Sequence, residues 1–297
     1  MDQILALDPF PQPGTSTPVL YSVTAPGGQV ASALVAGSRL GLRTRFALRI
    51  GDDEAGEQQR AALEREGVDL SLARKRAGVP SARALILLDV ARGQRAVVWN
   101  TDTRLAVAAA EVSREIVAQA RLLYIDGKDG EACLAASRWA RALGRPVVSD
   151  IDTPTPWSAE LIGQVSDCIC NREFLPAYTG IQELEPALRK LAGEGPRMVC
   201  ATLGAEGALA WTEGRWHRAP GFSVNVVDDT GAGDGFRAGY VYALLAGWPI
   251  EARLAFANAT AACVCETIGA VPSMPTMAQV RQMLARFHAS GPWERAC

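Results

Sequence analysis

The residues best equipped for chemistry lie between Val227 and Gly239: Val-Asp-Asp-Thr-Gly-Ala-Gly-Asp-Gly-Phe-Arg-Ala-Gly. Gly231, Ala232 and Gly233 are small and end at the carboxylate of Asp234. Phe236, Tyr240, Val241, Leu244 and Leu245 follow at helical spacing, and the apolar run Phe222 to Val227 precedes them. The stretch reads as strand, tight turn and helix start, with Asp234 in the first helical turn. N–H groups at a helix start lack intrahelical partners, and the helix dipole is positive there. Small residues let an anion approach closely, so Gly231, Ala232 and Gly233 form an anion hole suited to phosphate. A carboxylate beside such a hole binds phosphate poorly and accepts protons well. Asp234 therefore reads as a general base that deprotonates a hydroxyl while the turn holds a transferring phosphoryl group. The competing reading is a common Gly-rich turn whose Asp only compensates the dipole. On this stretch alone the two are level.

The elements around it follow an α/β pattern. Ala31–Leu40 and Glu54–Glu66 read as helices that end at Gly41 and Gly67, with Thr44–Ile50 extended between them. Leu122–Ile125, Pro146–Ile151, Cys168–Cys170, Met198–Thr202 and Leu209–Trp211 read as strands, with a helix over Glu131–Leu143. Strands alternating with helices predict a mainly parallel sheet covered by helices. Two regions break the alternation. Ile4–Leu7 with Pro18–Thr24, and Ala82–Val90 with Gln94–Trp99 around Ala91-Arg92-Gly93, read as strand pairs with no helix between. They predict a small β lid over residues 1–28 and 80–103, with a catalytic core over 29–79 and 104–297. A lid would exclude water from a phosphoryl transfer; a plain edge extension of the main sheet is the alternative. Ala278–Phe287 reads as one amphipathic helix.

Composition narrows the function classes. The chain has 297 residues, 48% hydrophobic and 21% charged, with a formal net charge of −2. That size suits one large α/β domain, and the charge argues against a nucleic-acid partner. No apolar run reaches membrane-span length, and no basic leader precedes Ile4, so no membrane is expected and the location reads as cytoplasmic. The seven cysteines, Cys133, Cys168, Cys170, Cys200, Cys263, Cys265 and Cys297, read as reduced thiols. Cys-x-Cys spacing and only two histidines, His217 and His288, do not suit a zinc knuckle.

The Asp228-to-Val241 run resembles the C-terminal signature of the ribokinase-like (PfkB) carbohydrate kinases, and the resemblance covers nearly the whole chain. It implies a three-layer α/β/α core with a small β lid, and use of ATP with Mg²⁺. Asp234 matches the family's catalytic base, and Gly231, Ala232 and Gly233 its anion hole. Gly27-Gly28, with the helix ending Arg39-Leu40-Gly41, resembles the N-terminal signature, and Gly51-Asp52-Asp53 with Gly56 resembles its Gly-Asp-Asp turn. Thr202, Gly204 and Gly207 resemble the turn beside the nucleotide phosphates, and Asn258 the helix lining the adenine pocket. Gly269, Ala270, Ser273 and Pro275 resemble the loop that, with Asp228 and Thr230, can hold a monovalent cation such as K⁺. A homodimer through the lid is a further implication.

The departures from the family pattern concern substrate and metal. Asp229 stands where Thr, Ser, Val or Pro is usual. Ser32 replaces an Asn that helps hold the sugar. Asn171-Arg172-Glu173-Phe174 stands for Asn-x-x-Glu, so Phe174 takes the acid's place and Glu173, or metal-bound water, is expected to serve with Asp228 toward the metal. Asp2 and Pro11 match the spacing of the sugar-gripping Asp and its following Pro, which leaves almost no chain for a first core strand. Either the start codon is assigned too late or the sheet lacks that strand. The first is favoured, because a lost core strand exposes apolar surface and unpaired backbone. Asn100, at the end of a lid strand, and Asp126 and Lys128, after a core strand, are expected to face the substrate with Asp2, Gly27, Gly28 and Ser32. Lys128 suits an anionic substituent or is a solvated surface lysine. Ser32 and the missing acid resemble an outlying branch with sulfofructose-kinase-like members. A ketose or its acidic derivative is the first expectation, then a neutral aldose or a nucleoside. The rival from another class is a non-catalytic sugar or nucleotide sensor, which an intact Asp234 argues against.

Overall fold

The computed structural model describes residues 1–92 and 94–294. Gly93 of the hairpin turn and Cys297 lie outside the described residues. The chain divides into two compact units.

The first unit comprises Met1–Ala106, Ser223–Gly239 and Ala259–Ser290. It opens with β1 (Asp2–Leu7) and β2 (Val19–Ala25), then α1 (Gln29–Arg39), β3 (Arg49–Gly51), α2 (Glu54–Arg65), β4 (Arg74–Arg76), β5 (Arg83–Asp89) and β6 (Gln94–Asn100). The two strand pairs expected from the sequence join into one four-stranded sheet, ordered β2-β1-β5-β6. β1 pairs antiparallel with β2 and parallel with β5, and β5 with β6 antiparallel. The pleat puts Ile4, Ile86 and Leu88 on one buried face, packed with Val23 and Ile268. The single strand expected over Thr44–Ile50 is not formed. Only β3 pairs, with β4, and Arg45 makes an isolated bridge to Asp69.

The second unit comprises Val107–Phe222, Tyr240–Asn258 and the segment from Gly291. Its elements are α3 (Arg114–Ala118), β7 (Leu123–Ile125), α4 (Gly130–Ala142), β8 (Val147–Asp150), α5 (Ser158–Ile162), β9 (Asp167–Asn171), α6 (Phe174–Thr179), α7 (Leu184–Ala192), β10 (Met198–Thr202), β11 (Ala208–Thr212) and β12 (Arg215–Ala219). They form a six-stranded sheet ordered β12-β11-β10-β9-β8-β7, parallel from β7 to β10 and antiparallel at β11 and β12. The middle strands are buried on both faces, which is why Cys168, Ile169, Cys170, Val199 and Cys200 run without polar alternation. β12 escaped the sequence reading. Glu213 and Gly214 both take positive φ, 51° and 74°, in the tight turn that returns the chain, and Trp211 faces Trp216 across it.

Four helices complete the chain: α8 (Ala232–Leu245), α9 (Ile250–Cys265), α10 (Ala270–Ser273) and α11 (Met277–Arg286). The segment Phe222–Val227 joins no strand. Its end is held instead by Val227 N, which donates to the Cys265 carbonyl at 2.8 Å. Among the described residues none of the six other cysteines forms a disulfide, and no helix is long and apolar enough to cross a membrane.

Candidate active site

In the first unit, the turn before α8 is built on a buried carboxylate. Asp228 is fully buried; Oδ1 accepts from Thr230 N at 2.9 Å and Oδ2 from Gly269 N at 2.8 Å. One side chain thus fixes the turn to the Gly269–Ser273 loop. Gly231 has φ +87°, a left-handed conformation that L side chains avoid. A β-carbon there would also lie 2.9 Å from Met274 Cε and 3.0 Å from Ala270 Cα. α8 begins at the next residue, and Asp234 stands half-buried in its first turn. A β-carbon at Gly235 would lie 2.8 Å from Val264 Cγ2, so the helix start is seated against α9 by a bare glycine.

The residues expected from the sequence to face the acceptor include a group at the start of the four-stranded sheet. A β-carbon at Gly27 would fall 1.7 Å from Asp2 Oδ2, so the Asp2 carboxylate rests directly on that glycine. Burial pushes the Asp2 carboxyl above its ordinary value, and the Met1 amino group opposes the shift. Gly28, with φ 104°, precedes α1 and accepts from Ser32 N at 2.8 Å. Ser32 is fully buried, and its Oγ has no hydrogen-bond partner. Asn100 is exposed at the same end of the sheet: it faces Arg83 in register, and the next residue, Ala84, faces Asp2. Asp229, unusual for its position, has a partner the sequence did not reveal: Arg95 of β6 forms an ion pair with it. Arg39, named above only within the N-terminal signature, also has partners the sequence did not reveal. It donates to Glu66 at 2.7 and 2.8 Å and to the Met274 carbonyl, bracing the loop behind Gly231.

In the second unit, β9 and β10 deliver Asn171 and Thr202 side by side in register. Asn171 Oδ1 accepts from Phe174 N at 2.8 Å and so starts α6. Glu173 is exposed there, and Arg172 donates to Glu206 at 2.6 Å. Gly204 and Gly207 take φ +59° and +90°, and a β-carbon at Gly207 would lie 2.1 Å from the Ala219 carbonyl. Asn258 is buried and donates through Nδ2 to the Ala219 and Pro220 carbonyls, both at 3.0 Å, so it shapes this wall. Asp126 Oδ1 accepts from Lys128 N at 3.1 Å; burial raises the carboxyl's pKa, and the Lys128 charge opposes this. Lys128 is exposed, and Asp150 at the end of β8 is buried and accepts from the Tyr124 hydroxyl. Among the described residues no group of three or more His, Cys, Asp or Glu side chains gathers to hold a metal ion.

A carboxylate in the first turn of a helix, just after a run of small residues, suits phosphoryl transfer to a hydroxyl. Residues 4–277 match the family described as pfkB family carbohydrate kinase, and the chain belongs to that family. It is 27% identical over 307 aligned positions to a nucleoside kinase of Methanothermobacter thermautotrophicus, covering 99% of this chain and 94% of the relative. It is 25% identical to a 5-dehydro-2-deoxygluconokinase of Geobacillus kaustophilus, covering 89% and 86%. The structure of Arabidopsis thaliana ribokinase complexed with ribose and ATP superposes with a TM-score of 0.80 at 25% identity, covering 95% of each chain. The fold is thus ribokinase-like, and the protein is a carbohydrate-kinase-family phosphotransferase. Ribokinase-like kinases bind ATP with Mg²⁺.

Proposed function

We propose that the protein transfers the γ-phosphoryl group of ATP to a primary hydroxyl of a monosaccharide, with a ketose or an acidic sugar derivative favoured. The observation that carries this reading is the turn itself: Gly231 at φ +87° leads into α8 with Asp234 in its first turn. Asp234 takes the hydroxyl proton. In this reading the N–H groups of Gly231 and Gly233 meet the charge that develops on the phosphoryl oxygens, while Ala232, whose N–H donates to the Asp229 carbonyl at 3.1 Å, holds the turn in shape; bound Mg²⁺ would supply further positive charge to the phosphates. Thr202, Gly204, Gly207, Asn171 and Asn258 serve the nucleotide. Asp2, Gly27, Gly28, Ser32 and Asn100 serve the acceptor, with Asp126, and Lys128 suits an anionic substituent. Glu173, exposed beside Asn171, fits a water-mediated contact to a phosphate-bound Mg²⁺. Asp228 already accepts one backbone N–H on each oxygen, so its part is to shape the metal and anion site rather than to cage an ion. Thr230 Oγ1, buried without a partner beside it, supports a monovalent cation there.

The test is Asp234→Asn in a coupled ADP-release assay with fructose, ribose and adenosine as acceptors. Turnover should fall by about 100-fold to 10,000-fold, with ADP affinity kept by isothermal titration. Retained turnover would refute the base assignment. A second reading, a nucleoside as acceptor, is favoured by the likeness to the nucleoside kinase. Faster turnover of adenosine than of either free sugar would select it. A sensor without catalysis predicts no ADP release with any acceptor. The lid sheet is also proposed as the contact of a homodimer, and a cytoplasmic location fits a kinase that uses ATP.

A further inference from the structure

Arg237 has no place in the roles assigned so far, yet it is only 4% exposed. It lies in the second turn of α8, three residues after Asp234 and four after Gly233. Helical side chains lean toward the N-terminus, so Arg237 folds back over the turn before its own. There a β-carbon at Gly233 would lie 2.6 Å from Arg237 Nη1. The guanidinium therefore fills the space that a side chain at position 233 would take. Two costs make this placement informative. A buried guanidinium loses its hydration, and a cation at the head of a helix opposes the helix dipole. Both costs are offset where negative charge gathers, and this helix start holds the Asp234 carboxylate and, in turnover, the transferring phosphoryl group.

We infer that Arg237 is a positioning residue for the kinase reaction: its guanidinium braces the Gly233–Asp234 turn so that the anion-hole N–H groups and the Asp234 carboxylate keep their aim. The inference rests on the kinase reading above. Arg237 acts through Gly233 and Asp234 and needs no contact with the acceptor. Its loss therefore lowers kcat more than it raises either KM.

The experiment compares Arg237→Met, Arg237→Lys and Gly233→Ala with the parent, using ATP with fructose, ribose and adenosine in turn. Arg237→Met should lower kcat by about 10-fold to 100-fold, with both KM values within about threefold. Arg237→Lys keeps the charge but loses the planar fork, so it should recover part of that loss. Gly233→Ala displaces the guanidinium, and its loss should not add to that of Arg237→Met in the double variant. A readout independent of the acceptor is binding of ADP with aluminium fluoride, a mimic of the transferring group. It should weaken at least about 10-fold in Arg237→Met while ADP alone binds as before. Circular dichroism guards against a misfolded variant. The inference is overturned if folded Arg237→Met keeps kcat and aluminium-fluoride binding within twofold, or if ADP binding falls equally. Asp234→Asn run alongside separates the two claims. If it keeps turnover, the base assignment fails; if it loses turnover while Arg237→Met does not, only the bracing role fails.

Discussion

Gly231 carries two constraints at one position, a left-handed φ of +87° and backbone of Ala270 only 3.0 Å from where a β-carbon would stand. Met274 Cε, also close, can swing away; the Ala270 Cα cannot. Gly231→Ala should therefore lower stability by about 1–3 kcal/mol in urea unfolding. On the proposed kinase reading it should also reduce kcat by about 100-fold, because one N–H of the proposed anion hole moves off line. Unchanged kcat would show that this N–H is not part of the hole. The turn and the helix start were legible in the sequence because three small residues next to a carboxylate need only local reasoning. The side chains that hold the turn were less so. Asp228 was expected near a metal, whereas both its oxygens accept backbone N–H groups, one from Gly269. Arg39 reaches the Met274 carbonyl across 235 residues of sequence. No spacing within a single motif announces such a pair.

Elements were legible where periodicity and a stop signal coincide. α1, α2 and α4 end beside Gly41, Gly67 and Gly144, each with positive φ. Strands that depend on a distant partner were not: β3 is three residues long because only β4 offers a ladder, and Phe222–Val227 finds none. Asp53 shows how such short elements are tied. It caps α2 through Gly56 N at 3.0 Å and accepts from Ser81 N and Arg83 Nη2, both at 3.2 Å. The Ser81 hydroxyl, first among these donors, holds its carboxyl well below the usual carboxylate range. A depressed folded-state pKa adds stability that is fully present above the unfolded value of 3.8 and lost as pH falls through the folded pKa. Thermal melts should show the parent losing stability below about pH 4, and Asp53→Asn starting lower with a shallower acid slope. An equal slope would place the acid sensitivity elsewhere. The Arg95–Asp229 pair ties the β5–β6 hairpin to the turn before α8. Because the pair is partly exposed, its worth is about 0–1 kcal/mol. Asp229→Thr should raise acceptor KM by at most about fivefold without changing kcat, and 0.5 M salt should bring the parent about as far. A kcat change would mean that Asp229 acts in the chemistry itself.

At the scale of the whole molecule, the four-stranded sheet leaves apolar side chains in water. Leu20 is 54% exposed on β2, and Val98 and Trp99 are 61% and 71% exposed on β6. Both are edge strands, and an edge strand also presents unpaired backbone N–H and C=O groups. Edges are commonly blunted by proline or several charges, yet β6 reads Gln-Arg-Ala-Val-Val-Trp-Asn and its one charge pairs with Asp229. A second copy supplies apolar cover and ladder partners at once, and the net charge of −2 sets little repulsion against it. Light scattering should therefore give about twice the 31.6 kDa chain mass at micromolar concentration. Val98→Asp should shift the protein toward the single-chain mass, since a carboxylate at a closed apolar contact loses its hydration without a partner. The consequence extends to function, because Asp2 and Asn100 sit at one end of this same sheet. The separated chain should show a raised acceptor KM while ATP KM stays put. A parent that runs as a single chain would remove the dimer. A Val98→Asp monomer with unchanged acceptor KM would keep the dimer and deny it any part in holding the acceptor.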